Sequence, residues 1–319
     1  MIYSQLNNTN LSISKLVLGS HLFGTEIDEK TSFALLDRFF EAGGNIVDTA
    51  SVYANWLSSE KHKSEKTLGK WLDSCGHRKE MIVVTKGGHH DLETNKSRLF
   101  YKDVREDLEK SFENLRTDYI DIYYLHKDDE KQQPEDLIQM LNDAVKGYDV
   151  RYLGVSNWSF DRIKRANDYA ASKQLKPIIA SQIQYSIAKV NIAPDDIFVM
   201  NDNEYAKYCQ SDLNVFGFSA QAKGLFAILE DKGAENLPDL HKTEFLNAYN
   251  LKLFERLKEL ANKKNTTVST LVLAALINDS KLNTFAQIGP VTQEQLETSL
   301  KATTVSLTDS EREFLFDIY

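Results

Sequence analysis

Short runs rich in β-branched and aromatic residues alternate along this chain with longer segments whose apolar positions recur every three or four residues. The short runs are KLVLGS (15–20), NIVDTA (45–50), MIVVTK (81–86), YIDIYYLH (119–126), VRYLGVSN (150–157), PIIASQIQYS (177–186), LNVFGFSA (213–220) and TFAQIGPV (284–291). Each reads as a β-strand. Helical period appears between them. In 30–42, Phe33, Leu36, Phe39 and Phe40 fall on one stripe, and the segments 64–75, 102–115, 134–146 and 160–172 follow. The stretch 251–278 divides at KKNTTVS, where Thr266 or Thr267 caps a second helix.

Strand-then-helix units repeated in this way imply a parallel sheet. No Pro/Gly/Ser-rich linker interrupts them. The pattern therefore fits a single α/β domain over 1–319, a (β/α)8 TIM barrel, better than an open doubly wound sheet. Residues 1–13 carry two short polar-alternating runs around an Asn-rich turn, which reads as an N-terminal β-hairpin plugging the barrel floor. Polar insertions at 195–212 and 230–245 follow the sixth and seventh strands and belong to the catalytic face.

Composition narrows the classes. At 42% hydrophobic and 27% charged the chain is ordinary globular protein, and no apolar run approaches the ~20 residues of a membrane span. Its N-terminus lacks the basic-then-apolar pattern of a signal peptide. Cys75 and Cys209 have no metal-type spacing and read as free thiols, so a reducing, cytoplasmic setting is expected. A net charge of −9 argues against general nucleic-acid or anionic-membrane binding, and leaves room for a local basic pocket for one phosphate group.

Candidate chemistry lies at the strand ends. NIVDTASVY (45–53) carries a buried-looking strand into Asp48, with Tyr53 five positions on. A buried carboxylate is costly without a cation. The third strand ends in Lys86 and the fourth in His126, and in a barrel such ends converge on one mouth. Lys86 would compensate Asp48. Its ammonium would also lower the Tyr53 phenol from the usual ~10, giving a general acid and base. His126 would orient a substrate carbonyl. Such a site delivers a proton to oxygen, and a bound nicotinamide would add the hydride.

Each feature also has a plainer reading. Asp48–Lys86 taken alone is a structural ion pair, His126 a core histidine, and Tyr53 one of 14 tyrosines. Ser156–Asn157 can open a helix as an N-cap pair, and Ser64–Glu65 likewise. His89–His90 in KGGHHD reads as a polar loop rather than a metal site, since adjacent side chains rarely share an ion. Trp56 and Trp158 are candidates for pocket walls, and Asp128 and Asp129 for acceptors to the hydroxyls of a polyol. A glycoside hydrolase would need paired carboxylates where Lys and His stand. A non-catalytic cofactor-binding redox sensor or auxiliary subunit is the remaining alternative.

In this order and on these strands, NIVDTASVY, IVVTKGG, YIDIYYLHKDD and YLGVSNW resemble the aldo-keto reductase superfamily over essentially the whole chain. The resemblance implies an NAD(P)H-dependent oxidoreductase interconverting a carbonyl and an alcohol, with Asp48, Tyr53, Lys86 and His126 as the catalytic tetrad. It places Ser20, Asp48, Ser156, Asn157, Gln182, Phe218, Ser219, Gly289, Gln295 and Ser299 along the cofactor. No G-x-G-x-x-G occurs, and this family needs none. NADP(H) is its usual cofactor. Gln295 and Ser299 stand where many members have arginine and asparagine, and Val291 offers no charge, so NAD(H) is the alternative. Lys223 or Lys301 would be the substitute cations. The substrate expected is a small polar carbonyl or sugar-like alcohol.

Overall fold

The computed structural model describes residues 1–317. Two short antiparallel strands, β1 (Tyr3–Gln5) and β2 (Ser12–Ser14), come first. Then strands and helices alternate: β3 (Leu16–Gly19), α1 (Glu29–Glu41), β4 (Ile46–Asp48), α2 (Lys63–Cys75), β5 (Ile82–Gly87), α3 (Tyr101–Leu115) and β6 (Tyr119–Leu125). Next are α4 (Pro134–Val145), β7 (Asp149–Ser156), α5 (Phe160–Lys173), β8 (Ile178–Gln184), α6 (Asp202–Tyr208) and β9 (Asn214–Phe218). The chain ends with α7 (Leu225–Lys232), α8 (Asp239–Phe245), α9 (Ala248–Lys264), α10 (Val268–Ile277), β10 (Thr284–Ile288), α11 (Gln293–Lys301) and α12 (Asp309–Phe316). Strands β3 to β10 close into a parallel barrel in which β10 pairs with β3. This is a (β/α)8 barrel with an N-terminal hairpin.

Side chains alternate in and out along a strand, and here alternation stacks the barrel in layers. Val17, Ile46, Val84, Ile122, Tyr124, Ala180, Phe216 and Phe285 fill the interior, and Leu6 and Ile13 of the hairpin region cover its floor. Phe216 stacks on Phe285 with ring centroids 5.1 Å apart. One inward step beyond this filler, two residues along each strand, the layer turns polar: Asp48, Lys86, His126, Gln182 and Gln287, with Phe218. Gly154 keeps β7 out of the way, because an added Cβ would stand 2.1 Å from the Tyr124 ring.

Two helix starts differ from the sequence reading. Ser64 is not the cap of α2; His62, left-handed at φ 61°, occupies that position, and the helix begins at Lys63. Ser64 Oγ is drawn inside, where it bridges Ser20 Oγ and Thr49 Oγ1 at 2.8 Å each. Glu65 is fully buried and accepts from Thr85 Oγ1 at 2.7 Å and Asn114 Nδ2 at 3.0 Å, so it ties α2 to β5 and to the end of α3. Likewise Ser159, not Ser156–Asn157, caps α5. The split of 251–278 falls where expected, with Thr267 capping α10. The insertions 195–212 and 230–245 are partly helical, holding α6 and α8.

Candidate active site

A carboxylate saturated with donors anchors the polar layer. Asp48 and Lys86 are fully buried, and Lys86 Nζ donates to Asp48 Oδ1 at 2.6 Å. That oxygen also accepts from Gln287 Nε2 at 2.6 Å and from Tyr53 Oη at 3.3 Å, while Oδ2 accepts from Gln182 Nε2 at 2.8 Å. Lys86 Nζ donates further to Thr49 O at 2.8 Å and to Tyr53 Oη at 2.9 Å. A buried ion pair persists when its remaining groups are satisfied, and here they are. The sequence reading did not name Gln287. Its signal was the same two-residue step that leads from Ile46 to Asp48 and from Val84 to Lys86.

The expected lowering of the Tyr53 pKa is overturned. Burial first, then the Asp48 carboxylate, push the phenol well above its ordinary value. Burial also lowers Lys86 against the pull of Asp48, which weakens it as a cation. Tyr53 is therefore held as the protonated acid at neutral pH. His126 is driven well below the usual histidine value by burial, then by His89, Lys86 and Lys127, so its ring is neutral. Its Nδ1 is sealed without a partner. A bare lone pair there costs less than an orphaned N–H, which puts the proton on Nε2. The Tyr53 and His126 rings meet edge to face, 5.5 Å between centroids.

Above this cluster opens a cleft of about 940 Å³. Around Tyr53 and His126 it is walled by His21, Val52, Trp56, His89 and Ile197, and Ser156, Asn157, Gln182, Phe218 and Ser219 continue along it. Gly289, Val291, Glu294, Gln295 and Ser299 line the α11 side. Its donor set suits an extended dinucleotide. Ser219, Ala222 and Lys223, none of them glycine, are left-handed at φ 51°, 49° and 54°, and such strain within five residues gathers at binding segments. Turned backbone of this kind aims N–H groups at an anion. The half-buried Phe218 ring offers a flat face to a heterocycle. Beside them Gln287 Oε1 is a buried acceptor without a partner.

Other candidates lie elsewhere. Ser20 is sealed beneath the cleft, donating to Asp48 O at 2.9 Å, and does not line it. Trp158 is fully buried, donates Nε1–H to Lys127 O at 3.1 Å and lies under Arg162, so it packs a loop rather than walling the pocket. Asp128 is paired with Arg162 at 2.6 Å, and Asp129 accepts from Gln132 Nε2 at 3.1 Å and from Lys131 N at 3.1 Å. These carboxylates brace their own loop and stand outside the cleft. Lys223 lines the cleft but is paired with Glu244 at 2.7 Å. Lys301 instead borders a separate surface hollow with Met1, Arg38 and Glu297. His21 and His89, which the sequence did not single out as pocket residues, come from loops whose path only the fold fixes. Among the described residues no cluster of His, Cys, Asp and Glu is placed to hold a metal, and no helix is long and apolar enough to cross a membrane.

The profile of the Aldo/keto reductase family matches residues 15–315. The chain belongs to that family. This aldo/keto reductase is 30% identical over 94% of its length to the norsolorinic acid reductase stcV of Emericella nidulans, 77% of which is covered. It is 26% identical over its full length to an uncharacterised oxidoreductase of Bacillus subtilis, YrpG, covering 96% of that protein. An aryl-alcohol dehydrogenase of Pestalotiopsis microspora is 26% identical over 98% of this chain and 81% of its own. The aldo/keto reductase is accordingly an oxidoreductase of carbonyl and alcohol groups.

Proposed function

We propose that the protein reduces a small carbonyl to an alcohol with NAD(P)H, Tyr53 giving the proton to the carbonyl oxygen. The observation that carries this is the Tyr53 hydroxyl held on Lys86 Nζ at 2.9 Å, over the donor-saturated Asp48 and at the wall of the cleft. Bound reduced nicotinamide would supply the hydride. Ser156, Asn157 and Gln182 would hold its carboxamide, Phe218 its ring face, the turn at Ser219 its pyrophosphate, and Gly289, Gln295 and Ser299 its adenosine end. His126 Nε2–H and the Tyr53 hydroxyl both donate to the carbonyl oxygen. As the proton leaves, Lys86 Nζ stabilises the phenolate forming on the oxygen to which it already donates, and that interaction strengthens toward the transition state.

Cofactor choice follows from charge. The α11 side offers Val291, Gln295 and the carboxylate of Glu294, and the Lys223 charge is already matched by Glu244. A charge-assisted hydrogen bond to a 2′-phosphate is worth ~1.5–3 kcal/mol, so its loss removes about one to two decades of preference. Both NADPH and NADH are accepted, with weak discrimination. For substrate, Asp128 and Asp129 are spent on Arg162 and on their own loop, and the ring walls of His21, Trp56 and His89 face the ligand instead.

The test uses Tyr53→Phe. The wild type oxidises reduced cofactor when offered small aldehydes, and the variant loses ~10²–10⁴-fold in kcat. By fluorescence titration both proteins bind NADPH and NADH alike, within about tenfold of one another. Equal turnover by the two proteins would remove Tyr53 as the donor. Cofactor binding with no turnover of any carbonyl would favour the redox sensor, and a preference for NADPH above a thousandfold would reveal an unassigned cation.

A further inference from the structure

The inference concerns His89 and rests on the reductase reading just given. His89 sits in the loop after β5, lines the cleft, and meets the His126 ring edge to face with centroids 4.9 Å apart. Its Nδ1 lies 2.8 Å from the backbone oxygen of His90. A carbonyl oxygen only accepts, so Nδ1 carries the proton. In the neutral imidazole Nε2 is then a bare acceptor. Among the described residues Nε2 has no partner, and it is not one of the sealed atoms.

The two histidines thus hold opposite tautomers. His126 presents an N–H to the carbonyl oxygen, and His89, one ring away, presents a lone pair. No other group competes for that lone pair. Lys127 is bound to Asp196 and its backbone oxygen, and Asp196 is occupied in return. Asp128 and Asp129 are engaged outside the cleft.

We propose that His89 is a specificity-determining residue that accepts a hydrogen bond from a hydroxyl close to the reacting carbonyl, so that the preferred substrates are hydroxycarbonyls: α-hydroxy aldehydes and ketones, or aryl carbonyls with an ortho hydroxyl. The carbonyl oxygen sits between Tyr53 and His126, the neighbouring hydroxyl donates to His89 Nε2, and Trp56 covers the remaining apolar part. An acceptor that the bound substrate cuts off from water disfavours a ligand that leaves it unmatched, which is why the missing hydroxyl is felt in affinity.

Protonation supplies a second signature. Burial and the charges of Lys127 and His90 keep His89 below the usual histidine value, against the hydrogen bond to His90 O and the charge of Asp196. The lone pair is therefore present at neutral pH and is lost as the pH falls through that lowered value.

The experiment compares kcat/KM for benzaldehyde, 2-hydroxybenzaldehyde and 2-methoxybenzaldehyde in the wild type, His89→Phe and His89→Gln. The wild type prefers the hydroxy compound over benzaldehyde and the methoxy compound by at least about tenfold. In His89→Phe that ratio falls toward one. In His89→Gln, whose amide oxygen again accepts, part of it returns. The wild-type ratio also shrinks on acidification, while benzaldehyde turnover does not follow the same curve. ¹⁵N chemical shifts of the His89 ring should show Nδ1–H and a bare Nε2. An unchanged ratio in His89→Phe, or an Nε2–H tautomer, overturns the proposal while benzaldehyde turnover leaves the reductase reading standing. Failure of all three aldehydes in the wild type overturns both.

Discussion

At the scale of single residues, one nitrogen of Lys86 joins the buried Asp48 carboxylate to the Tyr53 phenol. Its three hydrogen bonds go to Asp48, Thr49 O and Tyr53, so removing it takes a donor from the carboxylate and from the phenol oxygen at once. Lys86→Met should lower urea stability by about 3 kcal/mol, the lower end of the cost of a broken buried pair, because Gln182 and Gln287 still donate to Asp48. Adding Asp48→Asn should return part of that loss, since the orphaned charge is then gone; a double variant no more stable than the single one would mean that the charge was not the cause. That Asp48, Lys86 and His126 meet at one mouth was legible from their places at strand ends, and Tyr53 follows from the loop just after Asp48. The direction of the Tyr53 pKa was not. Sequence shows that an ammonium is near, but only the fold shows how completely water is excluded and that the phenol also donates to the Asp48 carboxylate.

At the scale of elements, the barrel's strand periods were readable and the helix starts were less so. Ser64 and Glu65 have the composition of a helix cap, yet both are consumed by tertiary partners: Ser64 by Ser20 and Thr49, Glu65 by Thr85 and Asn114. Propensity to cap is worth ~1 kcal/mol, and a buried network outweighs it. The same contact between α2 and α3 depends on Gly69. A Cβ there would lie 2.0 Å from Asn114 O and 2.9 Å from Leu115 Cα, both backbone atoms that cannot swing aside. Gly69→Ala should therefore destabilise by roughly 1–3 kcal/mol or more, despite the better helix propensity of alanine. A urea midpoint equal to or above that of the wild type would show that the helices separate freely.

At the scale of the whole molecule, Lys15 makes barrel closure sensitive to pH. It lies beside the β10–β3 seam, donating to Asn283 Oδ1 at 3.0 Å and Thr284 O at 3.1 Å, with its ammonium 4.9 Å from the centre of the Phe285 ring. Burial lowers its pKa to about 8, with Asp279 opposing. Unfolded, the group titrates near ~10.4. Between these values the unfolded chain binds the extra proton, so this group's contribution makes folding more favourable as pH rises. Below pH 8 both states are protonated and the contribution is flat. From pH 7 to 9.5 the stability of the wild type relative to Lys15→Met should rise by about 2 kcal/mol. Other titrations are common to both proteins and cancel in that difference, so a difference independent of pH would refute the assignment.

By itself the sequence determined the closed barrel, because eight strand-and-helix periods admit few other closures, and it determined the carboxylate, ammonium and imidazole at the mouth, because alternation along a strand fixes which residues face inward, with the Tyr53 phenol only five positions beyond Asp48. Tertiary structure decided everything that depends on distances across the barrel. It set Gln287 on Asp48, closed Trp158 into the core, turned Asp128 and Asp129 away from the cleft, and brought His21 and His89 in from loops with no period to read. It also fixed both histidine tautomers. The physical reason is the same in each case. Side-chain direction within an element follows from local geometry, whereas burial, pKa and hydrogen-bond partners are set by neighbours distant in the chain.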